Sequence, residues 1–165
     1  MKDIIIILLM CVAAIGIGAW LYFNASAFSA PMGGAHTVSY SVLESGTNAG
    51  AITDRTNYRI QNQQDLNTLW SLVYGSSGPS VPTVDFSKNE VLAVFDGQHV
   101  TNGYKVSITQ IAEGNGTRTV FIEHKAPGPS CKLAQTPTTA FQIVQVAATA
   151  EPLSHRDSMI TGGCP

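Results

Sequence analysis

Residues 4–23, IIIILLMCVAAIGIGAWLYF, form an unbroken apolar run that divides the chain before any other pattern is considered. At a rise of ~1.5 Å per residue, a helix of about twenty residues covers roughly 30 Å, the thickness of a bilayer's hydrocarbon core. The run is therefore read as a transmembrane helix. Trp20, Tyr22 and Phe23 stand at its outer end, and Lys2 is the only Lys or Arg before Arg55. Aromatic rings favour the headgroup region, and the weak positive-inside bias leaves residue 1 in the cytoplasm and the rest outside. A removed signal peptide is the rival reading, because Ala25-Ser26-Ala27 is a small-x-small pattern directly after the run. The run exceeds the usual apolar region of about 7–15 residues in such peptides, which favours an uncleaved anchor. Either reading exports the chain beyond residue 27, to a periplasmic or extracellular location.

Of 165 residues, 44% are apolar and 12% charged, against roughly a quarter charged in ordinary globular domains. Removing the apolar run leaves 145 residues, about 14% of them charged, so the remainder is less apolar but still sparsely charged, and it is long enough for one domain. A formal charge of −2 provides no electrostatic footprint for nucleic acid. Cys11 lies inside the apolar run, so Cys131 and Cys164 remain as an even pair in a compartment that permits disulfides. A bridge is one reading and two free thiols the other, since spacing alone does not bring two α-carbons within ~7 Å.

From Asn24 to Thr37 the chain is rich in Ala, Ser, Gly and Pro without periodicity, the composition of a flexible tether. The expected organisation is an anchor or signal segment over 1–27, a tether over 28–37 and a folded part over 38–165. Strand-like alternation begins at Val38, Tyr40 and Val42, and a short strand is expected over 57–61. Leu66, Leu69, Trp70 and Val73 recur at helical spacing and predict an amphipathic helix over 63–74. Asn62 is its expected N-cap and Gly75 its stop, with Trp70 as a core anchor. Val91 to Phe95, VLAVF, reads as a strand covered on both faces. Tyr104, Val106 and Ile108 alternate with polar residues, and Ile111 falls out of phase, which predicts a bulge near Gln110. Asn115-Gly116 predicts a hairpin turn to a strand over 117–124. A last strand is expected over 141–147, and the tail from Ala150 shows no period. The predicted class is α+β: an N-terminal transmembrane helix, then a mainly antiparallel β-sheet or half-barrel with one packed helix.

Signs of catalysis are sparse. The four histidines have no partner at helical spacing, and no CxxC, HExxH, GxSxG, SxxK or phosphate-cradling glycine loop occurs. No metal, cofactor or catalytic residue is therefore assigned, although a triad assembled from distant residues leaves no local trace. Gly97-Gln98-His99-Val100-Thr101-Asn102-Gly103-Tyr104 stands out, because a glycine at each end frees the backbone and Tyr104 can fix the chain's return. Its two readings are a plain hairpin connection and a presented recognition loop on a rigid scaffold. His99 within it reads as a surface histidine. Pro127-Gly128-Pro129 forms a second, rigid bend leading to Cys131.

The order of these motifs resembles the C-terminal domain family of PrcB, an accessory subunit of a bacterial surface protease complex. The shared features here are the helix core Leu66 to Trp70, Val84 to Lys88 (VDFSK), Gly97 to Tyr104, Pro127 to Cys131 and Phe141 to Val144. They span roughly residues 57–148. The resemblance implies a non-catalytic extracytoplasmic domain that binds and stabilises another envelope protein, such as a protease. The family pattern has Gly where Asn102 stands, and Asn also tolerates left-handed backbone. The tail to Cys164 lies beyond the resemblance.

Two functional classes lead from this point. One is a membrane-tethered, non-catalytic binding domain that recognises an envelope protein through residues 97–104, with 127–129 as a secondary loop. The other is a peptidase inhibitor, because Thr101-Asn102-Gly103-Tyr104 is similar to the T-T-G-Y loop of chagasin-type inhibitors. An enzyme with a dispersed site and a purely structural envelope role stand behind them.

Overall fold

A computed structural model describes residues 34–164. The expected anchor over 1–27 and transmembrane helix over 4–23 lie outside the described residues, as does most of the expected tether. Among the described residues no helix is long and apolar enough to cross a membrane. Ala35 opens the compact unit that holds every described element. The strands are β1 (His36–Thr37), β2 (Tyr40–Gly46), β3 (Arg55–Ile60), β4 (Asn89–His99), β5 (Lys105–Gly114), β6 (Thr117–Ala126), β7 (Thr138–Ala147) and β8 (Leu153–Thr161), with helix α1 (Gln63–Tyr74) between β3 and β4.

The strands form two four-stranded sheets, β1-β5-β6-β8 and β2-β7-β4-β3. The expected single sheet or half-barrel is thus corrected to two sheets packed face to face, with α1 on the outer face of the second. Alternation along β4 shows why. Val91, Ala93 and Phe95 pack with Leu66, Leu69, Trp70 and Val73 of α1, whereas Leu92 and Val94 pack with Val106, Ile108, Val120 and Ile122 of the first sheet. The VLAVF run is apolar throughout because each of its faces meets a different layer. Gln142 of β7 joins the layers: its side-chain oxygen accepts from Ile108 N–H at 2.7 Å, beside the β5 bulge between Ile108 and Gln110.

Helix α1 begins and ends where its caps predict. The Asn62 side chain accepts from Asp65 N–H at 2.8 Å, and Gly75 leaves at φ 66° with its N–H on the Ser71 carbonyl. Trp70 is buried, and its indole N–H donates to the Pro79 carbonyl at 2.9 Å. The VDFSK segment is a turn that aims β4. Asp85 Oδ1 accepts from the N–H and the hydroxyl of Ser87, and these bonds hold its carboxyl below the usual range.

Three further expectations are corrected. His36 and Thr37, placed in the tether, pair with Glu113 and Ala112 as β1. β4 and β5 belong to different sheets, so residues 100–104 are an inter-sheet crossing and not a hairpin connection. The tail after Ala150 contains β8, which pairs parallel to β6 from Arg118↔Leu153 to Ala126↔Thr161. After Leu153 every residue of β8 is exposed, so no apolar alternation marks it in the sequence.

Candidate interaction site at the β4–β5 crossing

Gly97 makes the turn into this site possible. Pairing of β4 with β7 shifts register between Phe95 and Gln98, and Gly97 occupies the bulge at φ 81°, a conformation that L side chains rarely adopt. A Cβ there would meet Arg55 N at 3.0 Å. The extra residue reverses the alternation of β4, so His99 comes to the same face as Asp96.

Asp96 is the hub beneath the crossing. It is 5% exposed and meets three nitrogen groups from three strands. Arg55 Nη2 lies 2.8 Å and His124 Nδ1 2.5 Å from Oδ1, while His99 Nε2 lies 2.8 Å from Oδ2. The expectation of His99 as a surface histidine in a loop is corrected here. His99 closes β4, tied to Asp96 and stacked on Tyr104 with ring centroids 3.6 Å apart. A buried carboxylate is retained at low cost only when paired and hydrogen-bonded, and here its partners knit β3, β4 and β6 together.

The Asp96–His124 pair has the outline of an oriented base, and the group it faces among the described residues is the Asp157 carboxylate. His124 is 3% exposed, and its Nε2 is a buried nitrogen with no hydrogen-bond partner. Asp157 Oδ2 faces it at 3.8 Å, a carboxylate where nucleophilic catalysis needs a hydroxyl or thiol. Among the described residues no group of three or more His, Cys, Asp or Glu side chains is arranged to hold a metal. The cluster orients the crossing.

Above the hub, the crossing is held from the side by the chain between β6 and β7, which begins with the second bend, and by the start of β7. Asn102 N–H donates to the Ala134 carbonyl at 3.2 Å, and Ala134 N–H donates to Asn102 Oδ1 at 3.0 Å. The Thr138 hydroxyl donates to the Thr101 carbonyl at 2.9 Å. Gly103, at φ 98°, lies so close to Pro127 that a Cβ would approach it to 3.1 Å. The positive φ falls at Gly103 and not at Asn102, which serves by its side chain. Gly128 packs beside Cys131 and the Gly162 carbonyl, while Pro129 follows in the exposed part of the bend. Cys131 and Cys164 form a disulfide with α-carbons 5.2 Å apart. The structure therefore brings 97–104, 127–129 and the C-terminal strand to one end of the fold.

Fixing Asn102 and Gly103 leaves Val100 at the apex, where it is 77% exposed. Sequence reading includes Val100 in the loop without singling it out, and misses Asp96, His124 and Arg55 as parts of this site. Asp96, His124 and Arg55 are separated from one another by tens of residues, and the one local signal is the position of Asp96 directly after the VLAVF run.

The sequence model of one protein family, described as PrcB C-terminal, matches residues 91–147. The resemblance seen in the motifs holds over that span, from β4 through β7, which includes both bends. Leu66 to Trp70 and Val84 to Lys88 precede the match, and β8 with Cys164 lies after it. No curated protein and no solved structure is significantly similar to the chain.

Proposed function

We propose that this chain, whose residues 91–147 match the PrcB C-terminal family, is a non-catalytic accessory domain that recognises another envelope protein, such as a protease whose complex it stabilises. Residues 4–23 anchor it in the cytoplasmic membrane, and the domain stands outside. One observation carries the reading: an apolar side chain, Val100, is presented at 77% exposure on a crossing braced by Asp96, Asn102 and Gly103. A large apolar side chain held in water by a rigid scaffold has a natural use in docking, because little conformational freedom remains to be lost on binding.

The test is photocrosslinking in native membranes from a photoreactive residue at Thr101, read by mass spectrometry. A single envelope protein captured there is the expected result, and its activity is then measured with and without this domain. Diffuse or absent crosslinks from Thr101 overturn the reading. Inhibition of a captured peptidase by the purified domain reassigns the chain to the inhibitor class.

A further inference from the structure

The two sheets end in four edges, and these are not equally guarded. β1 covers β5 with two residues, β2 is bulged between Val42 and Glu44, and β3 has six residues. β8 has nine, runs in unbroken register with β6, and contains no Pro, Gly or Lys. Short length, bulges, Pro and charged side chains, Lys above all, are the usual protections of a free edge; β8 lacks the first three and Lys, and its fixed charges are Arg156 and Asp157. It is also held in place. The Arg118 N–H donates to the Pro152 carbonyl at one end, and the Gly162 N–H donates to the Ala126 carbonyl at the other, just before the disulfide.

Those two bonds fix which backbone groups are free. Even-numbered residues of β8 turn their N–H and C=O toward β6, so by the two-residue period His155, Asp157 and Met159 turn theirs outward. Among the described residues no strand pairs with that side. Beside it lies a cleft of about 170 Å3 between the free edges of the two sheets, lined by Tyr58, Leu92, Val94, Val120, Ile122 and Leu153. Further along the same edge Met159 is 67% exposed, with Arg55 of β3 3.9 Å from its sulfur.

Charge narrows the choice of occupant. In a twofold joint between two copies of β8, the residue on the axis faces itself. Centred on Asp157, the middle of the strand, that sets carboxylate against carboxylate. One residue earlier, it sets Arg156 against Arg156. Like charges directly opposite destabilise a strand pair, so these two registers resist a second copy, whereas one centred on Ser158 carries no such clash. Arg156 itself is exposed, points to the outer face opposite Phe121, and has no ion-pair partner among the described residues.

We infer that β8 takes up an extended, acidic peptide segment of another protein as an added strand. Its carboxylate sits opposite Arg156 on the outer face, and its neighbouring residues, turned to the inner face, place a bulky apolar side chain over the cleft between β8 and β3. Main-chain bonds supply affinity and the alternating side chains supply selectivity. The inference rests on the reading of this chain as a binding domain and assigns that domain a second contact surface, distinct from Val100.

Random linear peptides displayed on phage are selected against the full chain, and the enriched peptides are examined by amide hydrogen exchange. Expected are peptides that alternate apolar residues with an acidic one, and new protection at His155, Asp157 and Met159 but not at Ser154, Arg156 and Ser158. Arg156→Glu weakens binding about tenfold, and Met159→Pro, which removes an outward N–H and leaves the β6 ladder intact, abolishes it. Selection of no peptide, protection elsewhere, or binding indifferent to Arg156→Glu overturns the inference. A defined partner crosslinked from Thr101 while the β8 amides stay unprotected leaves the proposed function standing and this inference refuted.

Discussion

The Arg118 guanidinium meets the Glu90 carboxylate at 2.6 Å where both side chains are shut off from water. Glu90 comes from the sheet that carries α1 and Arg118 from the other, so the pair is a bolt between layers. Glu113 binds Arg118 and Arg59 binds Glu90, and the Ala147 carbonyl accepts from Arg118 Nη1 at 2.7 Å. Removing one member leaves a buried charge short of a partner, which costs about 3–5 kcal/mol. Arg118→Met and Glu90→Leu are each expected to lose about 3 kcal/mol in urea unfolding. The double variant should lose less than the sum by about 2 kcal/mol. Strict additivity would show that the two groups do not act on each other.

The Cys131–Cys164 bridge closes a loop with a sequence separation of 33 and pins the end of β8. Loop-closure entropy for that length gives about 3–4 kcal/mol of stabilisation. Reduction, or Cys131→Ser with Cys164→Ser, should lower stability by that amount and speed exchange of the Ser158 and Ile160 amides while the β4 amides stay slow. Equal loss of protection across both sheets would show that the bridge supports the whole fold and not this strand.

Which elements are legible in the sequence depends on where each signal resides. The helix from Gln63 to Tyr74, its caps and the bulge near Gln110 are local, set by side chains within a turn or a strand of one another, and the sequence predicts them closely. VLAVF signals burial on both faces, yet which layer lies on which side depends on pairings such as Phe95↔Phe141, which no local pattern encodes. β8 is invisible for a physical reason: an edge strand exposed on both faces needs no apolar alternation, and its parallel pairing with β6 requires no turn signal. In the candidate site, the glycines at 97 and 103 are legible as backbone freedom. The hub of Asp96 with Arg55, His99 and His124 is not, because a buried polar cluster is assembled from separate strands.

Gly103 is the hinge on which the two bends meet. At φ 98°, with Pro127 at 3.1 Å from a would-be Cβ, Gly103→Ala suffers both backbone strain and a contact with a rigid ring. A loss of about 1–2 kcal/mol in thermal or urea unfolding is expected. Asn102→Ala removes only the side-chain bond to Ala134 N–H and should cost about 1 kcal/mol. If the crossing is the docking site, capture from Thr101 falls more in Gly103→Ala than in Asn102→Ala. An unstrained Gly103→Ala variant would mean that Pro127 yields and that the two bends are not rigidly joined.

Tyr74 ends α1 with its ring against Trp70, at 5.3 Å between centroids, and edge-on to Phe141 at 6.1 Å. Burial, then the nearby Glu44 carboxylate, pushes its phenol from 10.0 up to about 12. In this interval the folded state keeps a proton that the unfolded chain has lost. Stability is therefore undiminished by this group below pH 10.0 and falls as pH rises from there to about 12. Because the ring is only partly buried, solvent screening holds the loss below the roughly 3 kcal/mol that the full shift would represent. Tyr74→Phe has no phenol to ionise, so its unfolding midpoint should decline less steeply with pH over that interval than the parent's. Ultraviolet titration should likewise show one tyrosine fewer among the late-ionising set. Identical slopes for the two proteins would place the Tyr74 hydroxyl in free contact with water and remove Glu44 from its surroundings.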